Sequence, residues 1–321
     1  LLVKGDSILL NVELKGLYWW NTILHKASKI SFASNETHLK NLKYTCAWFE
    51  NENSIWLGSI FKGLVHLNPV NGQARNYLFT HDTVYAKKWV SSSTISSVFH
   101  MAKSTLLLAS NDSLIEFNYS TGSYIKMGIP SVRDDGIRQH TLGKITSIND
   151  SLCLLSTWAN GIIVYNLRTR SMKSYYWNVN ERNGATNISF NALHDTGSHY
   201  WIATPDAGLL NFDLETRKFT FIQYKNNEGV NKRFVTDNLM KDRQGQLWAQ
   251  TIHEFGRIYE KRLALPCEPK VKFSALCPAG PYHVMATSMN SPSIYLLNHK
   301  GKIEQVFHPK GARSFFWQIK P

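Results

Sequence analysis

The feature that most constrains this sequence is a short pattern that recurs along its whole length. A large apolar residue is followed three positions later by Thr or Ser, and four positions after that by Gly. Clear copies occupy residues 56–63, 154–161 and 201–208, and residues 248–256 carry a copy with one extra position. Weaker copies complete a column of large apolar residues: Leu9, Trp56, Leu106, Leu154, Trp201, Trp248 and Val284.

The spacing of this column predicts the architecture. Successive members lie 47, 50, 48, 47, 47 and 36 residues apart. Propeller blades repeat every 40 to 50 residues or so, whereas ankyrin and tetratricopeptide repeats have periods of about 33 and 34 residues. We therefore expect an all-β, seven-bladed β-propeller.

The unit from Ile188 to Tyr224 shows what one repeat contains. Residues 188–194 and 218–224 alternate apolar and polar side chains, residues 200–204 and 209–212 are almost wholly apolar, and turn residues separate the four segments. Such segments predict β-strands joined by tight turns. Each repeat is therefore expected to form one four-stranded antiparallel blade.

The two chain ends are expected to complete one blade together. Ile8 to Leu10 aligns with the second strand of a repeat, so the first blade is expected to lack its inner strand, while Ser314 to Ile319 follows the last repeat as an unassigned strand. Counting from Val284 to Pro321 and on to Leu9 gives about one period. We predict that Ser314 to Ile319 pairs with Ile8 to Leu10, which would close the ring and protect exposed strand edges.

Composition favours one domain over residues 1–321, because a propeller distributes its core over the interfaces between blades. Aromatic residues make up 12% of the chain and supply those interfaces. No stretch approaches the roughly 18 apolar residues of a membrane span, and no signal peptide opens the chain. Because the ends interrupt a blade, we expect the chain to be part of a longer multidomain protein.

Four cysteines are too few for a disulfide scaffold. Cys46 and Cys153 fall on predicted strands and are expected to be small core residues. Cys267 and Cys277 are left open as a pair that could meet near the last blade. No cysteine or histidine spacing indicates a metal site, and no cofactor is expected.

A more specific pattern lies in residues 53–77. Asn-Ser-Ile-Trp-Leu-Gly-Ser leads to Lys-Gly-Leu-Val-His-Leu-Asn, and Gly72 is followed five positions later by Tyr77. This resembles the two-component regulator propeller repeat, whose pattern is D-x-x-G-x-[IL]-W-[IL]-G-T-x-x-x-G-[IL]. Residues 242–248 keep the first half of that pattern and residues 201–210 keep the second. The resemblance is moderate in residues 152–165 and weak in the first, third and seventh repeats.

The resemblance implies a sensor. In that family, propellers form the extracytoplasmic part of two-component and hybrid histidine-kinase regulators, often as tandem rings followed by an immunoglobulin-like domain and a membrane helix. Many of these sensors recognise glycan fragments. The resemblance thus implies a periplasmic, non-enzymatic, signal-transducing propeller that binds an oligosaccharide. Its expected partners are an adjacent propeller or immunoglobulin-like domain and a second copy of the parent sensor.

Candidate binding residues lie in the loops that follow the second strand of each repeat and in the segments between repeats. Trp158 is the most informative, because sugar rings stack on indole faces. The alternative is that it caps the neighbouring blade. The predicted ligand contacts are Lys62, Arg133, Arg138, Trp158, Asn160, Asp206, Arg233 and His253.

The net charge of +13 favours acidic oligosaccharides if it is concentrated around these loops. Two alternatives are that the Lys and Arg side chains are simply solvated, or that they dock a neighbouring domain. Nucleic acid fits less well, because no nucleic-acid-binding module is present.

Two other classes of function remain open. A glycan hydrolase or lyase would use paired carboxylates such as Asp112, Asp206 or Glu254 with His253. The sequence contains no nucleophile elbow and no phosphate-binding Gly loop. A protein-interaction scaffold of the WD type would carry Gly-His and Trp-Asp pairs, which these repeats lack.

Overall fold

The structure is a computed structural model of the whole chain. It describes residues 2–12, 15–21, 23–79, 94–130, 141–158, 160–177, 187–205, 207–225, 231–233, 236, 238–242, 244–250, 255–259, 262–264, 273–279, 283–288, 293–298 and 301–308. These residues are almost entirely β-structure. They form seven four-stranded sheets, numbered 1 to 7 here in chain order, and one two-stranded sheet.

In every four-stranded sheet, strands that are consecutive in sequence are neighbours in space. The first three sheets contain these strands: β1 (Leu2–Lys4), β2 (Ser7–Val12), β3 (Gly16–Asn21) and β4 (Lys26–Lys29); β5 (Tyr44–Asn51), β6 (Ser54–Ser59), β7 (Leu64–Leu67) and β8 (Ala74–Tyr77); β9 (Ile95–Ala102), β10 (Thr105–Ser110), β11 (Ser113–Asn118) and β12 (Tyr124–Gly128). A short 3-10 helix, Ser34–Leu39, lies between sheets 1 and 2.

Sheets 4 and 5 contain β13 (Leu142–Asn149), β14 (Leu152–Thr157), β15 (Ile162–Asn166) and β16 (Met172–Tyr175); β17 (Asn191–His194), β18 (His199–Ala203), β19 (Leu209–Asp213) and β20 (Lys218–Phe221). The two-stranded sheet contains β21 (Gln223–Lys225) and β22 (Asn231–Arg233). Sheets 6 and 7 contain β23 (Asn238–Lys241), β24 (Leu247–Gln250), β25 (Phe255–Tyr259) and β26 (Arg262–Ala264); β27 (Phe273–Pro278), β28 (His283–Ser288), β29 (Ile294–Asn298) and β30 (Ile303–Phe307).

The chain divides into two compact units. The first comprises Leu1–Val98, Met240–Arg257 and Leu265–Pro321, and the second comprises Phe99–Leu239 and Ile258–Ala264. The seven predicted blades are present as seven sheets, and every member of the large apolar column lies on the second strand of its own sheet.

Sheet 1 differs from the prediction. It has an inner strand of its own, because β1 pairs with β2 through Leu2 with Leu9 and Val3 with Ile8. The other edge of β2 is filled by β3. The predicted pairing of Ser314–Ile319 with Ile8–Leu10 is therefore wrong, and residues 314–319 themselves lie outside the described part of the chain. The missed signal was Gly5-Asp6, a two-residue hairpin turn in which Gly5 takes a positive φ of 52°.

Register also differs in the third and seventh sheets. In sheet 4, the column residue Leu154 packs against the following sheet, sheet 5. In sheet 3, the residue that packs against the following sheet is Leu107 and not the predicted Leu106. In sheet 7, Met285 packs against sheet 1 while Val284 faces sheet 6. The predicted column was therefore one residue out of register at both places. Successive side chains of a strand point to opposite faces, so a one-residue error exchanges the two interfaces.

Packing between sheets is apolar within each unit. In the first unit, Ile8 and Leu10 of sheet 1 share a cluster with Met285 and Ile294 of sheet 7. The Phe307 ring also meets Trp20 edge-on at 5.4 Å between centroids. The first and last sheets are thus in direct contact, which is what burial of both faces of each sheet requires.

The segment predicted as one strand, 218–224, is divided in two. β20 ends at Phe221, Ile222 is buried, and β21 begins at Gln223. β21 then pairs with β22 through Tyr224 and Lys232. Arg233, expected in a segment between blades, therefore lies on the second strand of a small hairpin.

Two of the four cysteines are described in full. Cys46 on β5 and Cys153 on β14 are both buried and unoxidised, as predicted. Burial raises the pKa of the Cys153 thiol to about 12, so this thiol stays protonated and unreactive. The side chains of Cys267 and Cys277 lie outside the described residues.

Candidate functional site

The repeated spacing builds the loop between the second and third strands of sheets 2, 4 and 5. The Thr or Ser that ends the second strand donates its hydroxyl to a backbone carbonyl at the start of the third strand. Ser59 does so to Gly63 at 2.8 Å, Thr157 to Gly161 at 2.9 Å and Thr204 to Gly208 at 2.6 Å. Sheet 3 has a loop one residue shorter, closed by Ser110 and Ser113 at 2.9 Å. The pattern thus encodes a rigid loop.

In sheet 4 this loop, residues 157–161, is also held by the strand entry of sheet 5. The Ser189 hydroxyl accepts from the Thr157 amide at 2.8 Å and donates to the Gly161 carbonyl at 2.6 Å. The Gly161 amide donates to the Asn187 carbonyl at 2.8 Å. Hydrogen bonds to Ser189 and Asn187 therefore hold Thr157 and Gly161, the two ends of this loop, in place.

Trp158 is the exposed aromatic residue of this loop. Its amide donates to the Thr141 carbonyl at 3.0 Å, and its backbone forms an isolated antiparallel bridge with Ile188. The indole lies 5.3 Å from the Phe190 ring between centroids, at an interplanar angle of 59°. The side chain still remains 47% exposed. Trp158 thus caps the neighbouring sheet with part of its surface and presents the rest to solvent.

Asn160 is a buried residue of the same loop. Its side chain is 2% exposed. Its Nδ2 donates to the Pro130 carbonyl at 3.2 Å, and its amide donates to Thr157 Oγ1 at 2.8 Å. Asn160 therefore positions the Trp158 loop against the Pro130 segment, and the geometry gives it no open face for a ligand.

The other predicted contacts are distributed as follows. Lys62 is exposed on the corresponding loop of sheet 2, in the first compact unit, whereas Trp158 and Asn160 lie in the second. The backbone of Arg233 lies on β22 in the second unit. The remaining four lie outside the described residues: Arg133, Arg138, Asp206 and His253.

One Ser–His–Glu arrangement occurs on sheet 2. The Ser54 hydroxyl lies 2.6 Å from Glu50 Oε2 and 2.7 Å from His66 Nε2. An ionised carboxylate only accepts, so Ser54 donates to Glu50 and His66 Nε2 donates to Ser54. A nucleophilic serine needs the opposite direction, with the hydroxyl donating to the imidazole.

The surroundings of this triplet are those of a structural network. Trp56 Nε1 donates to the same Glu50 oxygen at 3.0 Å, and the His66 ring stacks on Trp56 at 4.2 Å. Burial lowers the pKa of His66, and the nearby Glu50 charge offsets part of that shift. Burial therefore favours the neutral imidazole at this position. A related network in sheet 6 joins Trp248 Nε1 to Asp242 at 2.9 Å.

Within the described ranges, no group of three His, Cys, Asp or Glu side chains is arranged to hold a metal ion. The same residues include no helix with the length and apolar character of a membrane span.

No protein-family model and no curated protein matches the chain. Solved structures do match over most of its length. The β-propeller domain of Swd1 from Myceliophteria thermophila is 12% identical with a TM-score of 0.60, covering 85% of this chain and 89% of that one. The fold is that of a β-propeller.

Enzymes share this propeller fold. Virginiamycin B lyase from Staphylococcus aureus, as a catalytically inactive variant with quinupristin, is 12% identical with a TM-score of 0.63, covering 88% of both chains. At such identities the likeness shows the fold alone, and one fold hosts unrelated activities.

A third neighbour is the extracellular domain of a candidate one-component system from B. thetaiotaomicron. It is 16% identical with a TM-score of 0.45, covering 99% of this chain and 50% of that one. The present chain thus spans half the length of that domain.

Proposed function

We propose that this propeller is a non-catalytic ligand-binding domain that takes a glycan on the Trp158 loop. The observation that supports it is an indole about half exposed on a loop whose backbone is held by Thr141, Asn187 and Ser189. A rigid aromatic surface binds a sugar ring with little loss of conformational entropy, because the loop is ordered beforehand.

The exposed face of the Trp158 indole favours a ring-shaped ligand, because a sugar ring stacks on a flat aromatic face. The Phe190 ring contacts the indole at an angle of 59° and supports it. The polar edges of a sugar need hydrogen-bonding groups around such a surface. From their positions in the sequence repeat alone, we propose Arg133, Arg138, Asp206, Arg233, His253 and Lys62 as further ligand contacts.

We infer that the preferred glycans are acidic. The chain carries a net charge of +13, and Arg holds carboxylates and sulfates through paired hydrogen bonds. Arg133→Ala, Arg138→Ala or Arg233→Ala is expected to weaken binding more than Lys87→Ala, which removes a Lys from the sequence between the second and third repeats. The affinity should fall with added salt, since exposed charges are screened over about 8 Å at physiological ionic strength.

The biological role that fits such a domain is sensing. The repeat pattern around Trp56, Trp201 and Trp248 resembles the propellers of two-component regulators. We propose that the domain lies outside the cytoplasm in a hybrid histidine-kinase sensor, beside a second propeller or an immunoglobulin-like domain, and that the parent sensor is a homodimer. A downstream membrane helix and kinase domain in the parent gene would support this role, and their absence would count against it.

The test of the binding site is calorimetric titration with acidic and neutral oligosaccharides, using Trp158→Ala. Loss of a stacking Trp is expected to weaken binding at least tenfold, which corresponds to about 1.4 kcal/mol. The salt dependence of glycan binding should be the same in this variant as in the wild type, because stacking is not ionic. Phe221→Ala, at an exposed aromatic on the outer strand of sheet 5, is the matched control. Equal weakening by both variants would exclude Trp158 as the site.

The non-catalytic part of the proposal has its own test. Incubation with glycans of several classes should give no product. Turnover that disappears in Glu254→Gln or Asp206→Asn would replace the sensor with a hydrolase or lyase, the main alternative. Binding of proteins instead of any glycan would favour a scaffold.

A further inference from the structure

A second exposed surface lies on sheet 2, in the first compact unit. The loop between β6 and β7, residues 59–63, meets the end of β8, because Leu64 pairs with Tyr77. Gly63 sits so close to this strand end that an added Cβ would lie 2.1 Å from the Tyr77 carbonyl oxygen and 3.4 Å from Leu78 Cδ2. Phe61 and Leu78 are therefore carried by two segments in direct contact.

Both segments expose apolar side chains beside positive charge. Phe61 is 56% exposed and Leu78 is 51% exposed. Lys62, the residue after Phe61, is also exposed. On the other segment, the Arg75 guanidinium lies 4.9 Å from the centroid of the Tyr77 ring. Residues 59–63 and 74–79 contain these two cations and no Asp or Glu.

The backbone of Phe61 also has a conformation that is unfavourable for a residue with a bulky side chain. Its φ is +69°, in the left-handed region that bulky residues avoid. Four other described non-glycine residues have positive φ, and each lies in a hairpin turn: His25, Lys103, Arg170 and Arg217. Phe61 also lies in a hairpin connection, the β6–β7 loop, where its amide donates to Thr94 Oγ1 at 3.4 Å. A bulky residue at a strained backbone position motivates the hypothesis that its side chain has a role.

We propose that Phe61, Lys62 and Leu78 form a docking surface for an acidic polypeptide segment that carries a large apolar side chain. The apolar side chain packs on Phe61 and Leu78, and flanking carboxylates pair with Lys62 and Arg75. A second copy of this chain fits less well, because each copy carries a net charge of +13 and the two would repel each other.

The test is selection from a random peptide library displayed on phage, with the intact chain as the target. The expected consensus has a Leu, Phe or similar residue flanked by Asp or Glu. Binding of a selected peptide, followed by fluorescence anisotropy, should weaken at least tenfold in Phe61→Ala and severalfold in Leu78→Ala. Raised salt should weaken it further.

Phe61→Gly distinguishes an effect on peptide affinity from an effect on the stability of the fold. Glycine relieves the left-handed strain, so this variant should bind no better than Phe61→Ala while its thermal midpoint rises by about 2 °C. Val70→Ala, which removes an even more exposed apolar side chain from the β7–β8 turn, is the control and should bind like the wild type.

Three results would overturn the inference: no consensus, a consensus without acidic residues, or affinity unaffected by both Phe61 variants. A concentration-dependent dimer that Phe61→Ala abolishes would assign the surface to a second copy instead. Both proposals name Lys62. The glycan titrations use Trp158→Ala and the peptide assays use Phe61 and Leu78 variants, so the two proposals fail or succeed separately.

Discussion

Glu116 is the buried carboxylate that joins sheet 3 to sheet 4. It lies opposite Leu107 in the β10–β11 register and is 8% exposed. Arg170 binds it through Nη2 at 2.7 Å and through Nε at 3.0 Å, and the Tyr165 hydroxyl donates to it at 2.7 Å. Burial, followed by this hydrogen bond, raises the pKa of Tyr165. A buried charge is tolerated here because three donor groups satisfy it.

Glu116→Gln is expected to lower the free energy of unfolding by about 1–3 kcal/mol. The amide removes the charge that pairs with Arg170 and turns a donor group toward the buried Tyr165 hydroxyl, which is left without a matched acceptor. Urea denaturation monitored by tryptophan fluorescence measures the change. Glu215→Gln, at an exposed position in the β19–β20 turn, is the control and should stay within about 0.5 kcal/mol of the wild type. Equal stability of both variants would show that the cross-sheet network contributes nothing.

At the scale of the element, the loop after the second strand depends on glycine for a steric reason. Gly161 has a φ of +64°, and an added Cβ would lie 2.0 Å from the Tyr175 carbonyl oxygen. Gly122, in the β11–β12 turn, has a φ of +76° and nothing within 4 Å of the same position. The two glycines thus share the left-handed conformation and differ in the space around them.

This pair separates backbone strain from steric overlap. Gly122→Ala is expected to cost about 1–2 kcal/mol, from the left-handed conformation alone. Gly161→Ala should cost more, because β16 must move away from the loop, and it should also weaken glycan binding by displacing Trp158. Urea denaturation and oligosaccharide titration of both variants measure the two effects. Similar unfolding free energies would mean that β16 accommodates the methyl group freely.

At the scale of the whole molecule, the short strand β1 covers the edge of β2. An uncovered β2 would expose unpaired backbone groups, which promote pairing with other chains. Sheet 1 also contacts sheet 7 through Ile8 and Leu10 of β2. Disruption of β1 is therefore expected to disturb the packing between the first and last sheets as well.

Lys4→Pro is expected to disrupt β1 and increase aggregation on warming, because proline cannot donate a backbone hydrogen bond within the hairpin that pairs Lys4 with Ser7. Lys4→Thr keeps the amide and a strand-compatible side chain, and serves as the control. Static light scattering during a thermal ramp detects the difference. Identical scattering from both variants would show that β1 does not protect this edge.

Much of the architecture follows from the sequence because each sheet is a local unit of four consecutive strands. The period of the column through Trp56, Leu154 and Trp201 fixes the number of sheets, and turn residues mark most strand ends. The Thr or Ser and the Gly of the pattern likewise predict where the loops lie, since the hydrogen bond between them spans only four residues.

Features that depend on contacts between sheets were decided only by the tertiary structure. β1 is three residues long and too short for an alternating pattern, so its pairing with β2 becomes visible only in the sheet. The partners of Glu116 are 49 and 54 residues away in sequence. The burial of Asn160 and the half-exposed indole of Trp158 are set by Pro130 and Phe190 on neighbouring segments. Local spacing determines how a strand is built, whereas exposure depends on which distant side chains cover it.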